Sequence, residues 1–201
     1  MIGIIDYKAG NAPSVIHAVK HLGYKATLIH NPNDLNNVSH IILPGVGSAK
    51  ATMNSLNDMN IINALEETVL NKKVFFLGIC VGMQILFEHS EEENTICLGW
   101  LEGNVKKFDA SMVRVPQMGW NQVNFFKNSP CKTSDDFFYF VNSYYVKPKN
   151  KAHIWGLTNY NGQFTSAVQH KNIFATQFHV EKSGLAGLML LNEFLSLKKE
   201  G

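Results

Sequence analysis

The segment with the clearest chemical signature runs from Val74 to Gln84 and reads V-F-F-L-G-I-C-V-G-M-Q. An apolar run followed by G-x-C-x-G is typical of a strand, a sharp turn and a helix that together present a nucleophile, here Cys80. A cysteine at a helix N-terminus is favoured as the thiolate, and the next amide, that of Val81, would face the site as an oxyanion donor. We therefore predict a nucleophilic cysteine at position 80.

A nucleophilic cysteine needs a base, and the base needs a partner that orients it. Among eight histidines, His179 differs because it follows the predicted apolar strand Ile173–Phe178 and has an acid, Glu181, two residues later. In an extended backbone these two side chains leave the same face, so the carboxylate could fix the imidazole tautomer. An H-x-E pattern also occurs in zinc deaminases, but their P-C-x-x-C partner is absent. Together with Cys80, the pattern favours a Cys-His-Glu triad.

A glycine-rich turn, Pro44-Gly-Val-Gly47, follows the apolar run Ile41–Leu43. Such a turn at the carboxyl end of a parallel strand presents backbone amides to the crevice where ligands bind. A dinucleotide loop would require G-x-G-x-x-G, and Lys50 stands where its third glycine should be. We expect the turn to supply the second oxyanion donor that a nucleophile elbow needs.

The other two cysteines, Cys97 and Cys131, lack such surroundings, and we expect both to be unreactive. Three cysteines at irregular spacing exclude a disulfide framework and favour a reducing, cytoplasmic setting. The N-terminus has no basic leader, and the longest apolar run, 74–87, is interrupted by glycines. We therefore expect neither a signal peptide nor a membrane span.

The elements that must position these residues alternate in the first half of the chain. Apolar runs without a period of two predict strands covered on both faces. These strands are Ile2–Ile5, Ala26–Ile29, Ile41–Leu43 and Val74–Ile79. Helices are predicted from Asn11, as the cap, to Gly23, over Ile61–Leu70, and directly after Cys80. This order predicts an α/β fold with an open, doubly wound, mostly parallel sheet.

The second half is rich in β-type sequence separated by turn signals, which predicts an antiparallel extension of that sheet. The predicted strands are Phe137–Val141, Tyr144–Val146, His153–Leu157, Phe164–Val168 and Ile173–Phe178. A final helix has Ser183 as its cap and an inward stripe made of Leu185, Leu188, Leu191, Phe194 and Leu195. Because nothing resembles a linker or a repeat, we expect one domain over residues 1–201.

Composition excludes several function classes. Charged residues make up 17% of the chain and the formal net charge is +2, so there is no broad basic surface for nucleic acid and no disordered tail. We expect no nucleic-acid partner and no membrane partner.

The motifs above resemble those of the triad, or class I, glutamine amidotransferases over nearly the whole chain. The nucleophile, oxyanion and His/Glu motifs correspond to Gly78–Gln84, Pro44–Gly47 and Phe178–Lys182. Three further stretches are similar to the glutaminase subunits of imidazole glycerol phosphate synthases. These are Ile5–Asn11, Pro116–Asn121 and Tyr139–Tyr144.

The resemblance implies a role for each matching position. Cys80 would be the nucleophile, His179 the base and then the acid, and Glu181 its orienting partner. The oxyanion amides would come from Val81 and from Val46 or Gly47, in a turn that this family is thought to move on activation. The positions expected to hold the substrate glutamine are Gln84, Glu92, Ser143 and Tyr144. Those expected at the contact with a synthase subunit are Asn11, Trp120, Asn121 and Lys182.

The resemblance further implies a flavodoxin-like fold and hydrolysis of L-glutamine to glutamate and ammonia, with no cofactor or metal. Ammonia would pass to a (β/α)₈ barrel cyclase in a heterodimer. That subunit would form imidazole glycerol phosphate and an aminoimidazole carboxamide ribotide (AICAR) in histidine biosynthesis.

Three positions depart from the family pattern. Val180 stands where proline is usual, and Gln117 and Asn142 stand where histidine is frequent. Other functions therefore stay open: the same chemistry feeding another acceptor, such as a surface-sugar synthase, a stand-alone flavodoxin-like cysteine hydrolase, or a non-catalytic binding module if Val180 disables the site.

Overall fold

The computed structural model describes residues 1–8, 10–126 and 136–198. Cys131, which we expect to be unreactive, lies outside these residues. Within them, the strands are β1 (Ile2–Ile5), β2 (Ala26–Ile29), β3 (His40–Gly45), β4 (Phe75–Cys80), β5 (His89–Ser90), β6 (Thr95–Ile96), β7 (Gly103–Lys107), β8 (Gln117–Phe125), β9 (Asp136–Asn142), β10 (Tyr144–Pro148), β11 (Ile154–Asn159), β12 (Gln163–His170) and β13 (Ile173–Thr176). The α-helices are α1 (Ala12–His21), α2 (Ala49–Asp58), α3 (Ile62–Glu66), α4 (Val81–Gln84) and α5 (Gly184–Ser196).

A parallel sheet with the order β2-β1-β3-β4-β13 forms the centre of the molecule. This is the order of a flavodoxin-like doubly wound sheet, so the predicted fold class is confirmed. Strands β1, β3 and β13 are buried along their whole length, as expected for strands covered on both faces. The carboxyl ends of β3 and β4 lie side by side, with Gly45 opposite Cys80 in the register.

The predicted antiparallel extension is also present. From β13 the sheet continues through β12, β10 and β7 to the short strands β5 and β6. A hairpin of β8 and β9 joins this extension through β11. The last parallel strand, β13, ends at Thr176, two residues before the predicted end at Phe178, so His179 lies beyond the strand.

The helices agree with the sequence patterns in part. Helix α1 begins after Asn11 and is followed by Gly23 at φ +85°, as predicted. The predicted helix over Ile61–Leu70 is α3 continued by a π-helical turn, Glu67–Asn71. The helix after Cys80, α4, has only four residues. Leu185 of α5 is 74% exposed, so its predicted inward orientation is wrong, because the stripe that faces the core begins at Gly187.

Short 3₁₀ turns complete the structure, at Pro32–Leu35, Glu92–Asn94, Lys151–His153 and Val180–Lys182. Helix α2, which follows β3 and the glycine-rich turn, was not predicted from the sequence. Its buried face consists of Ala49, Thr52 and Leu56, which is too small and polar to give a clear apolar period. In the described part of the chain, none of the helices has the length and apolar character needed to cross a membrane.

Candidate active site

Cys80 lies on a strained turn between β4 and α4. It is the last residue of the strand, and its backbone has φ 56° and ψ −108°, a conformation that residues other than glycine rarely adopt. Such strain at a functional position persists only where the surrounding structure holds it. The turn is the strand-to-helix elbow that G-x-C-x-G predicts.

The two glycines of this motif are required by close backbone contacts. A Cβ atom at Gly78 would lie 2.4 Å from the carbonyl oxygen of Gly82, and one at Gly82 would lie 2.1 Å from the carbonyl oxygen of Leu43. Gly45 is equally constrained, because a Cβ atom there would lie 2.8 Å from the amide nitrogen of Gly82. The elbow and the glycine-rich turn after β3 therefore pack directly against each other.

His179 and Glu181 form a buried pair close to Cys80. The Nδ1 atom of His179 lies 2.8 Å from Oε1 of Glu181, and both side chains are almost fully buried. The pair forms across the 3₁₀ turn Val180–Lys182, so the extended backbone that we assumed for it is wrong. Because a carboxylate only accepts hydrogen bonds, Nδ1 carries a proton, and the other ring nitrogen remains for the cysteine.

The charges of this pair stabilise one another. Burial by itself lowers the pKa of His179, but its hydrogen bonds to Cys80 and Glu181 and their charges raise it to about 10. Burial likewise acts to raise the pKa of Glu181, and the hydrogen bond and charge of His179 outweigh this effect, so that pKa is lowered. At neutral pH the arrangement therefore favours an imidazolium between a carboxylate and the sulfur of Cys80.

Asn11 and Ser183 hold this pair in place, and both were predicted to cap helices. Neither side chain caps its helix. The Nδ2 atom of Asn11 donates instead to Oε1 of Glu181 at 2.8 Å. The hydroxyl of Ser183 donates to the carbonyl oxygen of His179 at 2.6 Å and accepts from the amide of Tyr139 at 2.9 Å. Tertiary partners thus replace the local caps, because these hydroxyl and amide groups reach the buried site.

The three departures from the family pattern leave this geometry intact. Val180 is the first residue of the 3₁₀ turn. Proline is tolerated at a first helical position because the N–H that it lacks has no partner within the helix, and valine can occupy the same position. Gln117 and Asn142 face each other across β8 and β9, and both are buried. These two departures therefore change buried positions of the hairpin.

A cavity of about 310 Å³ opens in front of Cys80, a size at the lower end of the range for small-molecule sites. It brings together most of the predicted site residues. Its lining includes Val46, Gly47, Cys80, Val81, Gln84, Glu92, Ser143, Tyr144, His179 and Lys182. Gly47 has φ +119°, and a Cβ atom there would meet nothing within 4 Å, so the turn borders open space on the cavity side.

The predicted substrate-binding residues are tied to the protein by hydrogen bonds. Oε2 of Glu92 accepts from the amide of Ala49 at 2.7 Å, and burial raises the pKa of Glu92. The Nε2 atom of Gln84 donates to the carbonyl oxygen of Tyr144 at 3.2 Å. The carbonyl oxygen of Ser143 accepts from the amide of Phe108 at 3.0 Å, so that oxygen is already engaged.

The remaining predicted residues divide between the cavity rim and the neighbouring surface. Lys182 lines the cavity and is exposed, whereas the side chain of Asn121 donates to the carbonyl oxygen of Asn159 at 2.9 Å. Trp120 is 54% exposed and lies against Gly184 at the start of α5. Met118 shares its face of β8 with Trp120, and Leu185 and Met189 lie one turn apart on α5, which starts at Gly184. These four exposed apolar residues are defined here as the apolar patch.

One residue in the site was missed by the sequence analysis. Gln177 is fully buried, and its Nε2 atom lies 3.6 Å from the sulfur of Cys80. Its position two residues before His179 was the only available signal, because a glutamine at the end of a strand is more often part of the packing.

The other cysteine that the structure describes has a different environment. Cys97 is buried, and burial raises its pKa to about 11, so it stays a thiol at neutral pH as expected of an unreactive cysteine. Over the described ranges, no cluster of three or more histidine, cysteine, aspartate or glutamate side chains could hold a metal ion. The chemistry that this site can perform is nucleophilic attack by a thiolate with proton transfer by an imidazole.

Comparison with known proteins agrees with this chemistry. Residues 3–196 match the family described as glutamine amidotransferase class-I, and the chain therefore belongs to that family. The imidazole glycerol phosphate synthase subunit HisH of Leptospira borgpetersenii is 40% identical, with 98% of this chain and 100% of the relative covered. The subunit of the same name from Methanocaldococcus jannaschii is 44% identical with the same coverage.

Solved structures support the fold. A crystal structure of a glutamine amidotransferase has a TM-score of 0.78 at 17% identity, with 96% of each chain covered. The glutaminase domain of Trypanosoma brucei CTPS with bound acivicin has a TM-score of 0.63 at 15% identity, with 99% of this chain and 95% of that chain covered.

Proposed function

We propose that this chain is the glutaminase subunit of an imidazole glycerol phosphate synthase and serves histidine biosynthesis. The observation that carries the proposal is the buried Cys80, His179 and Glu181 constellation in a chain whose relatives of 40% identity or more bear that name. Its reaction would be hydrolysis of L-glutamine to glutamate and ammonia, and its ammonia would be used by the partner.

The reaction begins with the thiolate of Cys80, which attacks the carbon of the glutamine side-chain amide. The carbonyl oxygen becomes an oxyanion that accepts hydrogen bonds from the amide of Val81 and from that of Val46 or Gly47. The imidazolium of His179 then gives its proton to the amide nitrogen, and ammonia leaves as the C–N bond breaks. A thioester to Cys80 remains.

Hydrolysis of the thioester restores the enzyme. His179, now neutral, takes a proton from water, and the hydroxide attacks the thioester carbon. The C–S bond breaks, glutamate leaves, and the thiolate and imidazolium are regenerated as an ion pair. Glu181 keeps Nδ1 protonated in both steps, so the same ring nitrogen always faces the reacting atoms.

Recognition of glutamine falls to other residues that line the cavity. Glu92 is acidic and half-buried, so its carboxylate suits the α-amino group of the substrate. Both N–H groups of Gln84 donate to Tyr144 and Gln177, so its remaining oxygen, an acceptor, also suits the α-amino group. Backbone groups of Ser143 and Tyr144 suit the α-carboxylate end. These assignments follow the family resemblance and the common lining of one cavity.

The partner is a synthase subunit, and we propose that it is a (β/α)₈ barrel that seats on the apolar patch. Large exposed apolar side chains grouped beside a polar cavity mark an interaction surface. Lys182 borders the cavity, and the adjoining residues of α5 carry part of the patch. A partner seated there would cover the cavity and receive ammonia without release to water. We also propose a cytoplasmic setting, because the three cysteines form no disulfide framework and Cys80 and Cys97 are free thiols, as is usual in a reducing compartment.

Covalent labelling tests the proposal. An electrophilic glutamine analogue should form one adduct, and mass mapping should place it on the peptide that contains Cys80. An adduct on Cys97 would contradict the site assignment. Ammonia release should also depend on the barrel subunit, whereas a stand-alone cysteine hydrolase would release ammonia equally well without it.

A further inference from the structure

Gln177 is a fully buried side chain that the reaction above leaves without a task. It lies between the end of β13 and His179. Burying a primary amide is tolerated only when its oxygen and its N–H groups find hydrogen-bond partners. The identity of those partners therefore indicates what this side chain contributes.

Both ends of the Gln177 amide contact residues of the active site. Its Oε1 atom accepts from Nε2 of Gln84 at 3.0 Å. Its Nε2 atom donates to the sulfur of Cys80 at 3.6 Å, an ordinary length for a hydrogen bond to the larger sulfur atom. Its backbone amide donates to the carbonyl oxygen of Ser166 at 2.8 Å, which fixes the point from which the side chain extends.

The hydrogen-bond network determines which end of Gln177 faces the sulfur. The carbonyl oxygen of Tyr144 can only accept, so the atom of Gln84 that contacts it must be the NH₂ group. The same NH₂ group contacts Gln177, whose nearer atom must then be its oxygen. The NH₂ group of Gln177 is thereby directed at Cys80.

We propose that Gln177 stabilises the thiolate of Cys80 by donating a hydrogen bond from Nε2 to Sγ, and that Gln84 holds Gln177 in this orientation. The inference rests on the proposed function, in which Cys80 is the nucleophile. A donor of this kind matters twice in turnover. It stabilises the thiolate before attack, and it stabilises the same thiolate when it leaves the thioester.

Other charged or titratable groups lie around this sulfur. His179 hydrogen-bonds to it, Glu92 and Lys182 line the same cavity, and Tyr7 is close enough for their charges to interact. A substitution at Gln177 leaves all four in place. A change in thiolate stability caused by that substitution therefore reports on the amide itself.

The test measures how the rate of Cys80 alkylation by iodoacetamide depends on pH, read from the mass-mapped Cys80 peptide of the full chain. Gln177→Leu keeps the volume and removes the donor. We expect its midpoint to move about one pH unit higher, equivalent to roughly tenfold less thiolate at a given pH. Turnover should fall in kcat with little change in KM for glutamine.

Thr176→Val is the matched control. Thr176 is also fully buried, and its hydroxyl donates to the carbonyl oxygen of Phe178 at 2.9 Å, so the control loses one buried hydrogen bond without touching the sulfur. Its alkylation midpoint should equal that of the wild type. If Gln177→Leu folds and shares that unchanged midpoint, Gln177 is only a packed amide and the proposal is overturned.

Gln177→Glu provides a second variant should leucine prevent folding. It keeps the shape of glutamine, but its carboxylate accepts and carries a negative charge, so the midpoint should rise further than with leucine. An unchanged midpoint would again overturn the proposal. The link to Gln84 predicts that Gln84→Leu shifts the midpoint in the wild type and not in Gln177→Leu.

The outcome is separable from that of the proposed function. If Cys80→Ala still hydrolyses glutamine, Cys80 is not the nucleophile and the proposed function fails at its site. If Cys80→Ala is inactive while the Gln177 variants keep the wild-type midpoint, only the role of Gln177 fails.

Discussion

At the scale of single residues, the hydrogen bonds and charges of Cys80 and Glu181 together decide the pH range in which the imidazolium of His179 exists. A base whose pKa is raised keeps its proton until the pH passes the raised value, so proton donation to the departing amide nitrogen is lost only as the pH rises through about 10. Glu181→Gln removes the carboxylate. The alkaline limb of kcat/KM for glutamine should then move toward 6.5, the ordinary value for histidine.

The control for this pH profile is Glu91→Gln. Glu91 is an exposed acid whose pKa is lowered by its hydrogen bond to Lys106, outside the catalytic constellation. Its substitution should leave the alkaline limb where the wild type has it. An alkaline limb that stays in place in Glu181→Gln would show that Glu181 does not hold the proton on His179.

His40 provides a prediction about stability. Its ring is buried between Phe75 and Phe194, with ring centroids 5.1 and 5.2 Å away, and burial lowers its pKa to about 4. The unfolded chain binds a proton near pH 6.5, so stability present above that pH is lost progressively as the pH falls toward 4. His40→Leu should reduce this loss in chemical unfolding measured across that range. The exposed His17→Leu is the control, and identical acid limbs in all three proteins would contradict the prediction.

At the scale of elements, the proposed reaction requires an oxyanion donor from the turn after β3, and the two glycines of this turn differ in the substitutions they permit. Gly45 cannot carry a side chain, because of its contact with α4, so a proline there would disrupt the elbow as well as the turn. Gly47 borders open space and is constrained only by its φ of +119°. It is therefore the position at which turn conformation can be tested alone.

Gly47→Ala should lower glutamine hydrolysis by the complex about 10²–10³-fold, the effect of losing one oxyanion donor. Affinity for the partner should stay within a few-fold of the wild type. Gly162→Ala is the matched control, because Gly162 has φ +121° and open space around it but lies in the turn between β11 and β12. Equal hydrolysis by both variants would contradict a catalytic role for the glycine-rich turn.

The strands and helices that could be predicted well are those marked by a pattern of neighbouring residues in the sequence. Strands β1 and β2 have the predicted bounds, because each is a short, mainly apolar run that ends at a polar residue, Asp6 or His30. In strand β8 the apolar Met118 and Trp120 are exposed and the polar Gln117 is buried, so hydropathy does not follow burial there. Helix α2 has a weakly apolar face, so neither element gives a clear local signal. The true partners of Asn11 and Ser183 also depend on tertiary contacts that no local pattern contains.

The same distinction applies to the candidate site. Cys80, His179 and Glu181 could be predicted because the elbow and the histidine–glutamate pair each have a short sequence pattern of fixed spacing, G-x-C-x-G and H-x-E. Gln177 could not, because its significance lies in contacts with residues 97 and 93 positions away, Cys80 and Gln84. Long-range contacts of this kind become visible only when the fold is known.

At the scale of the whole molecule, the apolar patch predicts where the partner binds. Trp120→Ala should weaken binding of the barrel subunit about tenfold or more, because a large aromatic at the centre of an interface carries much of its energy. Ile96→Ala is the control, since Ile96 is 81% exposed on the short edge strand β6. Titration calorimetry measures both affinities. If the two variants bind equally, the patch is not the docking surface.

The central claim is that Cys80 releases ammonia here for use by the partner, and one comparison tests it directly. Cys80→Ala in the reconstituted complex should abolish synthesis from glutamine and leave synthesis from added ammonium salt at the wild-type rate, because the nucleophile serves only the first half-reaction. Cys97→Ala, which removes a buried thiol outside the constellation, should retain both. Glutamine-dependent synthesis by Cys80→Ala, or loss of the ammonia-dependent rate together with it, would contradict the account.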